Sequence, residues 1–298
     1  MYLFLLLVTI ATNISADFLD RHASSGRSDP FSLTLWSGIV QSLLVVPLIG
    51  LVGRITGTQL ALTALVAAIA AVGRMQWYRA LGDAREQLSR LAPFLRVSSV
   101  FVLLLAVFLL RERMTAMQVF GATCVILSAL LVTLERPSSS LSAFLHNNRG
   151  SARVLQFAFS TACISVLYRY LLHHGVGIWT CYFYMRLFQL VPLLMVGVHT
   201  GRIRTAHIHI PNLRLFFCGR FMQTAAAFMY LAVLQHLPLT TVEPFAAGMA
   251  PFLVLGMERL LHHRQGRAQP DAAPAPAVSR MRWAALCVVA CGMVLMEV

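Results

Sequence analysis

The stretch LAPFLRVSSVFVLLLAVFLLRER, Leu91 to Arg113, followed by the apolar run Val119–Leu134, decides how this chain is read, because it recurs. Shifted by 151 positions, Pro93-Phe94 falls on Pro244-Phe245 and Phe101 on Phe252. In the same register Leu104 meets Leu255, Leu109-Leu110 meets Leu260-Leu261, and Arg113 meets Arg264. Seven identities in 21 positions exceed what shared hydrophobicity supplies. A chain that repeats a long apolar unit once reads as a duplicated membrane bundle.

Composition agrees. Of 298 residues, 58% are hydrophobic and 12% charged, and the mean hydropathy is +0.73. Soluble domains carry about 25% charged residues, so this chain lacks the side chains to cover itself in water. Ten apolar windows are long enough to span a bilayer core of about 30 Å. They lie near 2–18, 33–53, 58–80, 89–110, 116–134, 153–172, 177–198, 213–234, 238–261 and 282–297. The opening run MYLFLLLVTIATNIS lacks the basic flank and cleavage site of a signal peptide, and the duplication needs it as a first helix. The net charge of +13 comes entirely from arginine against 11 acids. In a membrane protein such charge anchors loops against anionic headgroups, so the partner expected is the lipid bilayer, not nucleic acid. The six cysteines, Cys124, Cys163, Cys181, Cys218, Cys287 and Cys291, sit inside apolar windows without a CxxC pair. They read as small buried hydrophobes, not as a disulfide framework.

The repeat extends beyond the opening stretch. Predicted helix 2 carries Trp36 and Gln41 and exits through Gly53-Arg54-Ile55; predicted helix 7 carries Gln189 and exits through Gly201-Arg202-Ile203, at an offset of 148. The last helices align at 163, with Cys124-Val125 on Cys287-Val288. A Pro/Ala-rich loop at 265–279 in the second half accounts for the drift, and such composition makes a flexible connector. The fold expected is therefore an all-α polytopic membrane protein of about ten transmembrane helices. Residues 1–135 form the first unit, 136–151 a linker and 152–298 the second. Five helices per half is an odd number, so the two repeats lie inverted in the bilayer, the plan of many secondary transporters.

The residues 78–134, YRALGDAREQLSRLAPFLRVSSVFVLLLAVFLLRERMTAMQVFGATCVILSALLVTL, carry a family resemblance. A proline early in predicted helix 4, Glu112-Arg113-Met114 after it and Gly121 opening helix 5 resemble the EamA-like members of the drug/metabolite transporter superfamily. The resemblance covers essentially the whole chain. The second copy departs from it: His263 stands where the glutamate belongs and Ala284 replaces the glycine. The resemblance implies transport of amino acids, sugars, nucleotide sugars, drugs or lipid-linked headgroups, with both termini inside the cell.

Charged side chains deep in a bilayer are costly and face a cavity or a partner. Five are expected there: Arg74, Arg96, Arg186, Arg220 and Glu243. Four positives against one negative leave a surplus of three, which favours an oxyanion because the guanidinium fork pairs with it bidentately. Snorkelling or bonds to backbone carbonyls are the competing reading. Glu243 precedes Pro244 and reads either as a protonatable coupling site or as the permanent partner of an arginine such as Arg96. Pro93 and Pro244 are expected to break their helices, each with a hydroxyl four residues earlier, Ser89 and Thr240. Among the aromatics Trp77, Tyr78, Tyr184 and Tyr230 are candidates to line a cavity, whereas others near helix ends read as interface anchors. Asn13 and Gln189 are expected to face it too, because an amide in hydrocarbon is costly. The substrate-binding set is thus Arg74, Tyr78, Arg96, Arg186, Gln189, Arg220, Tyr230 and Glu243.

Histidine pairs at 173–174, 207/209 and 262–263 lack ligand spacing for a metal, and no phosphate loop or catalytic motif is present. No cofactor, metal or enzymatic activity is expected. The function expected is a secondary transporter of anionic or zwitterionic metabolites in a bacterial inner membrane, with helices 5 and 10 packing the repeats or supporting a homodimer. A partner subunit or lipid-headgroup flippase component is the alternative. About fifteen loop arginines follow the odd-numbered helices and about four the even-numbered ones, so the positive-inside rule puts both termini outside the cytoplasm, against the resemblance.

Overall fold

A computed structural model describes residues 1–24, 29–83, 88–133, 149–201, 212–264 and 288. The expected tenth helix, the loop 265–279 and most of the 136–151 linker lie outside them. Nine α-helices are present among the described residues: α1 Tyr2–Ser24, α2 Pro30–Val45, α3 Gly57–Asp83, α4 Leu88–Leu109, α5 Ala116–Thr133, α6 Arg149–His173, α7 Ile178–His199, α8 Leu213–His236 and α9 Leu239–Arg264. A 3-10 turn, Val46–Leu51, extends α2. Six segments are long and apolar enough to cross a membrane: Tyr2–Asp20, Pro30–Leu51, Gly57–Arg79, Ala152–His173, Ile178–His199 and Leu213–His236. The protein is an integral, multi-pass membrane protein.

Local chemistry sets the helix starts. Asp29 caps α2 by accepting from Ser32 N at 3.1 Å, with Pro30 at the first helical position where its missing N–H costs nothing. Two reciprocal Thr/Gln capping boxes open α3 and α5. Thr56 and Gln59 exchange backbone-to-side-chain bonds of 3.0 and 3.4 Å, and Thr115 and Gln118 bonds of 3.1 and 3.2 Å. The helices 4 and 9 expected to break at their prolines do not: α4 runs through Pro93 and α9 through Pro244. Each proline sits in the second turn, where it deletes a single intrahelical bond, and membrane bundles accommodate that loss.

Packing pairs the helices across the two halves of the chain. α1 lies against α8 and α3 against α6; α1 also meets α9, and α4 meets α6; α3 touches α7, α2 touches α8, and α2 crosses α7. Each such contact has its counterpart when α1–α4 are exchanged for α6–α9. Glycines mark the closest crossings. A Cβ at Gly73 would stand 2.8 Å from Ser160 Cβ on α6, and one at Gly219 would stand 3.0 Å from Asp20 Oδ1 on α1. Small residues let membrane helices approach this closely.

One end of the bundle is tied together by polar contacts. Gly53 N donates to Thr180 Oγ1 at 2.7 Å, and Gln59 Nε2 to the His174 carbonyl at 3.1 Å. Tyr2 stacks on His236 with centroids 4.4 Å apart. Glu112, after α4, accepts the backbone N–H of Leu239 at 3.3 Å and of Thr240 at 3.1 Å, capping α9. It also pairs with Arg169 Nε at 3.6 Å, and that guanidinium donates to the Leu234 carbonyl. The start of α1 and the turns α2–α3, α4–α5, α6–α7 and α8–α9 therefore share one end.

Candidate functional site

Three polar clusters lie between the helices. The first joins four of them around Arg220 on α8, whose side chain is fully buried. Its guanidinium donates to Asp20 Oδ2 on α1, to Ser37 Oγ on α2 at 2.7 Å and to Gln223 Oε1 at 2.5 Å. Tyr78 on α3 donates to the same Asp20 oxygen at 3.4 Å, and Gln41 Nε2 donates to Gln223 Oε1 at 3.0 Å. A charge inside a bilayer persists when an opposite charge and hydrogen bonds replace its water, and Arg220 has both.

This cluster corrects the charge count. The expected surplus of positives left out Asp20, which lies beyond the apolar window 2–18. α1 instead continues to Ser24 and holds Asp20 1% exposed, in direct ion pair with Arg220. Asp17, one turn earlier, lies within electrostatic reach of both Arg74 and Arg220. Asp17 and Asp20 thus stand against Arg74 and Arg220, whereas Glu243 bonds Tyr230 and Ser99. The side chain of Arg96 lies outside the described residues, as do those of Ser89, Pro93 and His263.

The second cluster surrounds Glu243 on α9. The Tyr230 hydroxyl on α8 donates to Glu243 Oε1 at 2.6 Å and lies 3.0 Å from Ser165 Oγ on α6. Ser99 on α4 donates to Glu243 Oε2 at 3.5 Å. The third lies on α7, where Arg186 donates to Gln189 Oε1 at 2.9 Å and stacks over the Tyr182 ring, 4.7 Å from its centroid. Gln41 and Gln189, equivalent at the offset of 148, are both buried, and Ser42 Oγ ties α2 to the Arg186 carbonyl at 3.0 Å. Arg74 on α3 is within electrostatic reach of Arg186, Tyr78 and Tyr182.

The structure therefore brings Tyr78 and Arg220 together in one cluster, Tyr230 and Glu243 in another, and Arg186 and Gln189 in a third, with Arg74 beside the first and third. Trp77 is buried against Phe157, and Tyr184 stacks along α7 on Phe188. Asp20, Ser37, Ser99, Ser165 and Gln223 were not among the sequence candidates. A signal for part of this was present: Gly73-Arg74 and Gly219-Arg220 recur at an offset of 146, each glycine at an inter-half crossing. Neither the 148 nor the 151 register aligns them.

No curated protein matches the chain. A solved crystal structure described as "Crystal structure of protein" matches with a TM-score of 0.65 and 14% identity, covering 98% of this chain and 95% of that one. At that identity the likeness is one of fold. The model of the EamA-like transporter family matches residues 1–134. That family is one of transporters and not of enzymes, and the match agrees with the resemblance read from Pro93, Glu112-Arg113-Met114 and Gly121. Over residues 1–134, a little under half of its length, this multi-pass membrane protein is similar to the EamA-like transporter family.

Proposed function

We propose that the protein is a secondary transporter that moves a small anionic or zwitterionic metabolite by alternating access. Its two five-helix units, 1–135 and 152–298, lie inverted about the linker 136–151, with the loop 265–279 inside the second. The observation that carries this reading is the exchange-related packing of α1–α4 with α6–α9 around buried charge. The shared end of the bundle supports inversion, since α1 begins where α6 finishes and α2 finishes where α7 begins. Substrate held between such units becomes accessible to either side as one rocks against the other. With Asp17 and Asp20 beside Arg74 and Arg220, and Glu243 buried in the cluster of Tyr230, the acids of the bundle favour a zwitterion or a monoanion over a polyanion. Arg74, Tyr78, Arg96, Arg186, Gln189, Arg220, Tyr230 and Glu243 are the proposed substrate-facing set.

The lysine-free, compact chain suits a bacterial inner membrane. α5 packs on α4 and α9 and exposes Met117, Val119, Phe120 and Leu127, a face for lipid or for a homodimer partner. A lipid-headgroup flippase component is the competing reading. It finds one point of support in a groove of about 320 Å³ between α3 and α6, lined by Ala68, Ile69, Val72, Phe159, Ser160 and Cys163. That lining is mainly apolar, whereas a headgroup needs a polar lateral path, so the soluble-metabolite reading is preferred.

The test is counterflow in proteoliposomes loaded with amino acids, organic acids, sugar phosphates or nucleotide sugars. One class should exchange, and Arg74→Gln should slow it on the order of tenfold, the worth of one charge-assisted hydrogen bond. Undiminished exchange in both Arg74→Gln and Arg96→Gln removes the arginine site. Absence of exchange together with accelerated lipid scrambling moves the assignment to the flippase.

A further inference from the structure

Three buried polar atoms on two neighbouring helices have no hydrogen-bond partner among the described residues: Tyr168 Oη on α6, and Tyr182 Oη and Arg186 Nε on α7. Tyr168 is 6% exposed, Tyr182 0% and Arg186 5%. Buried polar groups are almost always satisfied, and an unsatisfied one points to a missing partner. These three belong together. Arg186 lies over the Tyr182 ring, and Tyr168 is within electrostatic reach of both Arg186 and Tyr182.

Their chemistry selects the partner. Arg186 Nε can only donate, and both tyrosine hydroxyls can donate, so the complement is a group rich in acceptors. Charge selects further. Arg74 is within reach of Arg186 and Tyr182, and Asp17 is the carboxylate within reach of Arg74. Arg74, Arg186 and Asp17 sum to one positive charge, which a singly negative oxyanion neutralises. The Arg220 cluster also has unpartnered atoms, Arg220 Nε, Asp20 Oδ1 and Gln41 Oε1, but it differs in charge: the Arg220 guanidinium is paired directly with Asp20 and bonded to Ser37 and Gln223, so no positive charge is left there for an anion.

We infer that Tyr168, Tyr182 and Arg186 form an oxyanion subsite that receives the carboxylate or phosphate of the transported molecule. This rests on the transport reading above and narrows it, by assigning the anionic end of the substrate to α6 and α7. Tyr168 and Tyr182 thereby become specificity residues beside Arg186. A neutral sugar or a cationic drug would leave the three donors unsatisfied and be rejected for that reason.

The test uses the full-length protein in detergent, with thermal unfolding followed in sodium acetate or sodium phosphate against sodium chloride at equal ionic strength. An oxyanion should raise the midpoint, and Tyr168→Phe and Tyr182→Phe should each weaken the apparent affinity on the order of tenfold. Without oxyanion, both variants should unfold at or above the wild-type temperature, because each removes a hydroxyl that has no partner. Two results overturn the subsite: no oxyanion response in the wild type, or Phe variants that lose stability in chloride yet respond normally to oxyanion. The second would mean that the hydroxyls serve the fold. Counterflow separates this from the transport reading. Exchange of a neutral solute, unaltered in both Phe variants, removes the subsite and leaves the transporter; a sound oxyanion response without exchange of any solute does the reverse.

Discussion

At the scale of single residues, the Asp20–Arg220 pair joins the first helix to the eighth. Removing one member of a buried pair strands the other in a low-dielectric interior, at a cost of about 3–5 kcal/mol. Asp20→Ala and Arg220→Ala should each destabilise by that order. The double variant Asp20→Leu with Arg220→Met should be more stable than either single variant, since it leaves no stranded charge and keeps most of the volume. Thermal unfolding of the four proteins in detergent decides it; additive losses would mean that the two side chains do not act as a pair. Arg220 was legible in the sequence as an intramembrane cation, but its partner was not. The apolar window 2–18 takes in Asp17 and stops short of Asp20, because a window scores a residue alone. Only the approach of α8, made close by Gly219 against Ala16 and Asp20, places the countercharge that lets α1 stay helical there. The long apolar windows needed no such partner and were readable; the polar residues that depend on partners far away in the chain were not. Ser99, Ser165 and Gln223 are of this second kind, ordinary in sequence and informative only through Glu243, Tyr230 and Arg220.

At the scale of elements, Glu112 explains why a carboxylate stands between α4 and α5. It caps a helix that lies 127 positions away, accepting two amides at the α9 N-terminus, where the helix dipole favours an anion. Its ion pair with Arg169 adds α6, and Arg169 in turn holds the end of α8. Glu112→Gln keeps an acceptor oxygen but loses the charge, and should cost about 1 kcal/mol; Glu112→Ala loses both amide bonds and should cost about 2 kcal/mol. The order of unfolding midpoints, wild type above Gln above Ala, checks this. Equal midpoints would show that α9 is capped by other means. The glutamate itself was legible as part of the family pattern, yet its task was hidden, because nothing local in RERM names the helix that it caps. The capping boxes at Thr56/Gln59 and Thr115/Gln118 are the opposite case, since donor and acceptor are three residues apart. Pro93 and Pro244 show a further limit: a proline's propensity to break a helix is local, while packing on both sides of α4 and α9 decides that the helices continue.

At the scale of the whole molecule, the ends of the helices turn a list of loops into two faces. The start of α1 and the turns after α2, α4, α6 and α8 lie at one end, which carries Arg54, Arg111, Arg113 and Arg169. The helices α1, α3, α5, α7 and α9 finish at the opposite end, and the sequence that follows them holds about fifteen arginines. Arginine retained on the cytoplasmic side sets topology, and by that rule we expect the arginine-rich end to be cytoplasmic. The N-terminus then lies on the far side, against the orientation implied by the family resemblance. Single cysteines introduced on a background lacking the native six separate the two arrangements. A cysteine at Gln59, beside the α2–α3 turn, should react with a membrane-impermeant maleimide added to intact cells. A cysteine at Ser28, in the segment between α1 and α2, should react only after the membrane is opened. The reverse pattern would place the arginine-poor face in the cytoplasm and restore the family orientation.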